Sequence, residues 1–142
     1  MARISVRTNA KDVAKRLNQR EERAEKDITR LILKSVNMVH ATVINGIQGP
    51  PATGRERPDG SRASAAGEYP MTDQSNLVQN ISKDIATTGF TGRVTSSAKH
   101  GPHLEFGTMN MLPRPFMQPS LEKNRRKILQ GFKDAKLLRR KS

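Results

Sequence analysis

The chain of 142 residues carries 26 Lys and Arg against 13 Asp and Glu, a net charge of +13, and only 4% of its residues are aromatic. One domain of this size with so few aromatic side chains builds a modest core, so the composition favours a protein that assembles or binds an acidic partner. The absence of cysteine excludes a disulfide framework and thiolate chemistry, and the longest aliphatic run, residues 31–33, is too short to predict a membrane span.

The first elements in chain order are a short strand and a long helix. Residues 4–6, Ile-Ser-Val, are compatible with a strand, and Asn9 has the character of a helix N-cap, with Asp12 suited to the first turn. Apolar residues then recur at spacings of three and four, which predicts an amphipathic helix of about 35 residues. Its front half is poor in apolar residues and is expected to project or to lean on a neighbour. The residues of the stripe are Val13, Leu17, Ala24, Ile28, Leu31, Ile32, Val36, Val39, Val43 and Ile47.

A long segment without periodicity follows the helix. Gly46, Gly49, Pro50 and Pro51 are expected to end the helix, and residues 48–70 are rich in Gly, Pro, Ser, Ala and Arg. Loops of this length are either mobile or functional. Two interpretations therefore stay open, a flexible surface loop and a loop that orders against a neighbouring subunit or nucleic acid.

The middle of the chain predicts a short helix or turn and then a hairpin. Thr72 or Asp73 can cap a turn over residues 72–81, which contains Leu77, Val78 and Ile81. The next residues are β-formers placed around two glycines, a pattern that favours an antiparallel hairpin. They are Ile85, Thr87, Thr88, Phe90, Val94 and Thr95 around Gly89 and Gly92.

The last part predicts one or two helical turns that Gly107 ends, and then a C-terminal helix with Pro119 and Glu122 in its first turn. The fold class is thus α+β, with a long N-terminal helix, a small antiparallel sheet and a C-terminal helix in one domain, residues 1–142. The apolar side of the last helix is expected to consist of Leu121, Ile128, Leu129, Phe132, Leu137 and Leu138.

The C-terminal helix and tail, residues 119–142, are strongly basic. Nine Lys and Arg follow residue 121, against Glu122 and Asp134, which places +7 of the net charge in this segment. Such a face either docks on an acidic protein or contacts DNA, with strong salt dependence in the second case. No zinc-finger, helix-turn-helix or aromatic stacking pattern accompanies the charge. The residues expected to make these contacts are Arg125, Arg126, Lys127, Arg139, Arg140 and Lys141.

No pattern of residues predicts catalysis. The glycine-rich stretches lack the spacing of a phosphate-binding loop or a dinucleotide fingerprint. His100 and His103 have no further ligands in the sequence to complete a metal site, and we interpret them as turn or surface residues. Glu105 is interpreted as a partner of Arg114, which lies between two prolines, rather than as a catalytic acid. The expected protein is not an enzyme and has no catalytic residue, cofactor or metal.

Residues 103–122, HLEFGTMNMLPRPFMQPSLE, form a stiff, apolar, proline-rich stretch that we call the elbow. Proline restricts φ and so lowers the entropy lost on docking, while its apolar side chains supply area to bury. Phe106 and Phe116 either cap the subunit's own sheet or form part of an interface, and the two functions are compatible.

The elbow resembles the signature of neck, or tail-completion, proteins of long-tailed phages, in which E-F-G-T leads to R-P-F-(M/L)-x-P-(A/S)-L. The upstream stretch at residues 64–81, SAAGEYPMTDQSNLVQNI, is similar to that family's S-x-P-G-E-x-P-x-x-D-T-G-x-L-x-x-S-I, with departures at Ala66 and at Gln74 and Ser75. The likeness covers roughly residues 35–130. Its elbow residues are Glu105, Phe106, Gly107, Thr108, Arg114, Pro115, Phe116, Met117, Gln118, Pro119, Ser120 and Leu121.

The resemblance implies a structural virion protein. Members of the family form a homo-oligomeric ring between the head connector and the tail terminator and complete head–tail joining around the DNA path. The implied partners are further copies of the chain, the connector or head-closure protein, the tail terminator or tube proteins, and double-stranded DNA in the lumen. The implied location is the head–tail junction of the virion, with the host cytoplasm as the place of assembly. A small basic nucleic-acid-binding protein is the alternative function.

Overall fold

The computed structural model describes residues 9–49, 51–71, 76–86 and 90–135. The architecture over these residues is α+β, as predicted: a long N-terminal helix, a two-stranded antiparallel sheet and a C-terminal helix. The elements in chain order are α1 (Ala10–Ile47), α2 (Asn76–Gln79), β1 (Ile81–Ala86), β2 (Thr91–Ser96), α3 (Gly101–Phe106) and α4 (Met117–Asp134).

Helix α1 has 38 residues and a length of about 57 Å. Asn9 occupies the N-cap position, although its side chain makes no capping hydrogen bond, and Asp12 lies in the first turn. Every buried residue of the described helix belongs to its rear half, whereas Val13 and Leu17 are 43% and 57% exposed. The front half therefore projects, as its composition predicts. The buried residues are Ile32, Val36, Val39, Val43 and Ile47.

The prediction that Gly46 ends α1 is wrong, because the helix continues to Ile47 and Gln48 closes it by donating its backbone N–H to the carbonyl of Ile44. Gly46 instead allows Tyr69 to approach. A Cβ at this position would lie 2.2 Å from Cε1 of the Tyr69 ring, closer than two carbon atoms can pack.

Strands β1 and β2 form the predicted hairpin, with a register that runs from Ile81 opposite Ser96 to Ala86 opposite Thr91. Ile81 begins the strand rather than ending the preceding turn. Gly92 brings β2 against α1, since a Cβ there would lie 2.2 Å from Cγ2 of Val36. The hairpin thus lies directly on the rear half of α1.

The core is small, in keeping with the composition. It lies where the rear half of α1 meets α2, the hairpin and the start of α4, and no aromatic residue other than Phe116 is among its buried members. The buried members of the cluster are Val39, Val43, Ile47, Leu77, Ile81, Ala98 and Phe116.

The segment at residues 48–70 has no helix or strand in its described part, but it has internal hydrogen bonds. Glu68 accepts hydrogen bonds from the backbone N–H of Ala65 (2.8 Å) and of Thr53 (3.2 Å), and from the Thr53 hydroxyl. The Thr53 hydroxyl is the largest cause of a lowered pKa at Glu68, followed by the backbone donors. At the far end of the segment, Gly67 donates to the carbonyl of Pro113 (3.0 Å), which attaches it to the elbow. Its flexibility, and its ordering against a neighbour, stay predictions.

Several predictions lie outside the described residues. They concern the strand at residues 4–6, Pro50, the capping residues Thr72 and Asp73, the β-formers Thr87 and Thr88 with Gly89, and the tail residues Leu137, Leu138, Arg139, Arg140 and Lys141.

Candidate functional site

The elbow begins where α3 ends. Pro102 lies in the first turn of α3, and Gly107 ends the helix with a φ of 76°. This left-handed conformation favours glycine, and a Cβ would also lie 2.7 Å from the carbonyl oxygen of Met111. Gly107 therefore ends α3 as predicted, and it lets the chain return closely on itself.

Glu105 caps the N-terminus of α4. One carboxylate oxygen accepts the backbone N–H groups of Phe116 (2.9 Å) and Met117 (3.0 Å), and the other accepts that of Gln118 (3.0 Å). The first N–H groups of a helix have no partner within the helix, and a negative charge is favourable at that end. The predicted pairing of Glu105 with Arg114 is wrong, because the backbone amides of α4 occupy both carboxylate oxygens.

The start of α4 agrees with the prediction for Pro119 but not for Glu122. The helix begins at Met117, so Pro119 lies in the first turn as its third residue, and its missing N–H is one that no capping group needs to satisfy. Glu122 lies beyond the first turn, which contains no acidic residue, and pairs with Arg125 at 3.3 Å on the exposed surface. The acidic group at this helix end comes from α3 instead.

Arg114 holds the base of the elbow through its backbone. Its N–H donates to the carbonyl of Leu104 (2.7 Å), so the residue that follows Pro113 is tied to α3. Its guanidinium Nη1 lies 3.5 Å from Sδ of Met111, and its Nε is buried without a hydrogen-bond partner. The guanidinium lines a cavity of about 340 Å³ together with His100 and Leu104.

The tip of the elbow presents apolar side chains to solvent. Thr108 and Met111 exchange backbone hydrogen bonds of 2.8 and 3.2 Å, which closes a tight turn. Phe106 is 77% exposed, Met109 is fully exposed and Leu112 is 70% exposed. We call Phe106, Met109 and Leu112 the elbow tip. Three large apolar side chains without cover, at the end of α3, in the turn and just after it, form a surface suited to a partner.

The two phenylalanines of the elbow have different environments. Phe116 is only 1% exposed and belongs to the core cluster, whereas Phe106 lies on the surface. Of the two open interpretations, the subunit's own core therefore holds for Phe116, and only Phe106 is available for an interface.

An apolar groove of about 800 Å³ runs beside the elbow tip. Its walls come from the rear half of α1, from β2, from α3 and from α4, and its floor includes Phe116. Of its lining residues, Ile32, Val36 and Val39 are buried within the subunit, whereas Phe106 and Leu121 are 77% and 49% exposed. The apolar residues of its walls include Ile32, Val36, Val39, Val94, Met117, Leu121, Ile128 and Phe132.

The apolar side of α4 is divided. Leu121, Ile128 and Phe132 line the groove, as one face of a helix should, but Leu129 lies outside it and is 47% exposed. The prediction that these residues form one apolar side is therefore wrong for Leu129. Its neighbours in space are the charged and polar residues Glu122, Arg125, Arg126, Gln130 and Lys133.

Helix α4 packs on α1 through polar residues. Asn124 donates to the Thr42 hydroxyl (2.8 Å), and the Ser120 hydroxyl lies 2.9 Å from that of Tyr69. Ser120 and Asn124 are the buried residues of the described helix. Apolar periodicity could not identify this contact. The available signal was the small side chains of Ser120, Asn124 and Gly131 along one face.

The basic residues of α4 lie on its outer surface. Arg125, Arg126 and Lys127 are exposed, and Arg125 forms an ion pair with Glu122. His100 and His103 belong to no group of three potential metal ligands within the described residues. Over the same residues, no helix has the length and apolar character needed to cross a membrane.

Comparisons with known proteins found no similar protein. No protein-family model, no curated protein and no solved structure matches the chain.

Proposed function

We propose that the chain is a structural protein of the phage neck, a ring-forming subunit between the head connector and the tail terminator that completes head–tail joining around the DNA path. The observation that carries this proposal is the elbow tip, in which Phe106, Met109 and Leu112 lie exposed in and beside a turn that hydrogen bonds between Thr108 and Met111 close. The resemblance of the elbow to the neck-protein signature is the reason for assigning this surface to the head–tail junction.

The construction of the elbow suits a joint that must fit its partner without rearranging. The Glu105 carboxylate of α3 accepts a hydrogen bond from the backbone at the start of α4. The backbone N–H of Arg114 donates to the carbonyl of Leu104, which holds the second half of the elbow against α3. Pro113 and Pro115 restrict the backbone on both sides of Arg114. A surface already held in its bound shape loses little conformational entropy on docking, so its apolar area contributes more fully to affinity.

The exposed apolar surface also supports an assembled subunit over a solitary one. The elbow tip and Leu121 at the groove expose large apolar side chains to water on a chain with a small core. Soluble monomers seldom expose contiguous apolar surface of this kind without a partner for it. In a ring, each copy offers two different patches to its two neighbours.

The test is a pair of substitutions at the elbow tip, Met109→Asp with Leu112→Asp, introduced into the phage that encodes the chain. Both side chains are exposed, so the subunit should fold, but the new charges oppose burial against a partner. We expect filled heads and separate tails by electron microscopy, with infectivity reduced at least about a hundredfold.

The matched control is Leu33→Asp, which places the same charge on an exposed leucine of α1 outside the groove lining and the elbow. It should give joined particles. Normal joining with the double variant, whose fold is verified by circular dichroism, would refute the proposed role of the elbow. Phe116→Ala is unsuitable here, because emptying a core position costs about 3–5 kcal/mol of folding free energy.

A further inference from the structure

We infer that the front half of α1 in one copy lies in the apolar groove of the next copy, so that consecutive subunits are joined by a helix seated in a groove. This inference rests on the proposed ring. It assigns the groove to a second copy of the chain, and it leaves Met109 and Leu112 of the elbow tip for the other proteins of the junction, because Phe106 lines the groove.

The front half of α1, residues 10–30, which we call the arm, makes little contact with its own subunit. Its described residues are exposed except for Ala24 and Ile28, which are half-buried. Val13 and Leu17 are one helical turn apart and share a face with those two residues. An isolated helix is marginal in water without an apolar surface to pack on, and a partner would supply that surface.

The arm cannot fill the groove of its own subunit. Ile32 and Val36 of the same helix already form one wall of the groove. Leu17 precedes Ile32 by fifteen residues, which places it about 22 Å further along the helix axis. The helix is continuous from Ala10 to Ile47, so the arm points away from the groove. An arm that enters a groove must therefore come from another copy.

The groove has the shape and surface that a helix requires. It is open along one side, its walls are mainly apolar, and about 800 Å³ is enough for several large side chains. Helices that bind grooves insert apolar residues at spacings of three or four, which is the spacing of Val13 and Leu17 and of Ala24 and Ile28. Val13 and Leu17 of the arm and Leu121 of the wall are exposed in the single chain.

One stretch of the arm is acidic, although residues 10–30 as a whole hold seven basic and five acidic residues. Four of the thirteen acidic residues of the chain lie in one stretch of the arm, residues 21–27, which contains only two basic residues. The four are Glu21, Glu22, Glu25 and Asp27. Arg93 of β2 is part of the groove wall. This acidic stretch is the part of the arm suited to pair with Arg93 of the groove wall.

The experiment separates the two surfaces and then recombines them. Leu17→Asp removes the apolar arm but keeps the groove, and Leu121→Asp does the reverse at a groove residue that is 49% exposed. Each variant of the full chain is purified and examined by sedimentation velocity beside the wild type. We expect the wild type to self-associate and each variant to associate about tenfold to a hundredfold more weakly.

The mixture of the two variants is the decisive sample. Each Leu121→Asp copy still has an arm, and each Leu17→Asp copy still has a groove, so an equimolar mixture should form a dimer and nothing larger. Gln19→Asp is the control, because it adds the same charge to the opposite face of the arm and should assemble like the wild type. Circular dichroism verifies that all variants are folded.

Four results would overturn the inference. They are a Leu17→Asp protein that assembles like the wild type, a loss of assembly in Leu17→Asp but not in Leu121→Asp, a mixture that stays monomeric, and a wild type that is monomeric at every accessible concentration. The second result would indicate pairing between arms. None of them decides the proposed function, which the particle assay with the elbow-tip variant tests separately.

Discussion

At the scale of single residues, Glu105 determines how the elbow is built. Its carboxylate replaces the N-cap side chain that α4 lacks, since Phe116 at the N-cap position has no side-chain acceptor. Pro119 removes one further N–H that would need a partner. Residue 105 therefore stabilises the fold through the backbone amides of three residues that follow it by 11–13 positions.

We expect Glu105→Ala to lower the free energy of unfolding by about 1–3 kcal/mol, because it leaves the amides at a helix end without their charged acceptor. Glu105→Gln should retain part of this stability, since its amide oxygen still accepts a hydrogen bond. Urea denaturation measures both. Glu122→Ala, which removes only an exposed ion pair, should change stability by less than about 0.5 kcal/mol. Equal effects at the two positions would contradict the capping role.

The sequence identified Glu105 as structural but assigned it the wrong partner. An arginine between two prolines has little backbone freedom and suits a fixed ion pair, which favours Arg114 as the partner. The N–H groups of a helix end are equally strong partners, but their position depends on how the elbow bends, which no local pattern specifies. The exposure of Phe106 and the burial of Phe116 depend on the same bend.

At the scale of elements, periodicity predicted the order and type of the described helices and strands. The spacing of apolar residues also indicated that only the rear half of α1 would be fully covered. Helix α4 was harder to predict, because its contact with α1 uses Ser120 and Asn124, and its leucines lie on surfaces that one subunit leaves open. Apolar patterning identifies a face to be buried, without distinguishing the subunit's own core from a neighbour's.

Two helical glycines give a matched test of this packing. Gly131→Ala in α4 should raise stability by about 0.5–1 kcal/mol, because its Cβ would lie in ordinary contact, 3.7 Å from Cδ2 of Leu31. Gly46→Ala should lower stability by about 1–3 kcal/mol, since the Tyr69 ring leaves no room for a Cβ. The ring cannot easily move, because its hydroxyl is hydrogen-bonded to Ser120 and the Lys123 ammonium lies 4.6 Å from its centroid.

Thermal denaturation of the two variants beside the wild type measures the difference. A stabilising Gly46→Ala would mean that Tyr69 does not pack over α1 as described. A destabilising Gly131→Ala would mean that α4 lies closer to α1 than this structure has it.

At the scale of the whole molecule, charge and apolar surface have different distributions. The arm, the groove and the elbow tip hold six of the exposed large apolar residues, and Leu33, Met71, Phe90 and Leu129 lie elsewhere. Arg126 and Lys127 lie on the outer surface of α4. A ring through which DNA passes should not bind it tightly, because each phosphate contact steepens the salt dependence of binding by about 0.9. We therefore expect most of the basic residues of α4 to face acidic proteins.

Direct measurement of DNA binding tests this expectation. We expect the purified chain to bind duplex DNA only weakly at physiological salt, and Arg126→Ala with Lys127→Ala to change that binding little. Fluorescence anisotropy over a salt series gives both affinity and slope. Micromolar binding with a steep slope that falls in the double variant would favour the alternative function, a basic nucleic-acid-binding protein.

The base of the elbow has one further consequence. Because the Leu104 carbonyl, the Glu105 carboxylate and the turn at Thr108 close the loop at its root, the residues of the tip contribute little to the rest of the fold. When the two ends of a loop are held together, the conformational entropy cost of closing it rises only slowly with added length. We therefore expect that residues of the tip can be substituted, or a peptide inserted after Met109, while α3 and α4 keep their geometry. The same fold could then bind a different partner after the exchange of a few residues.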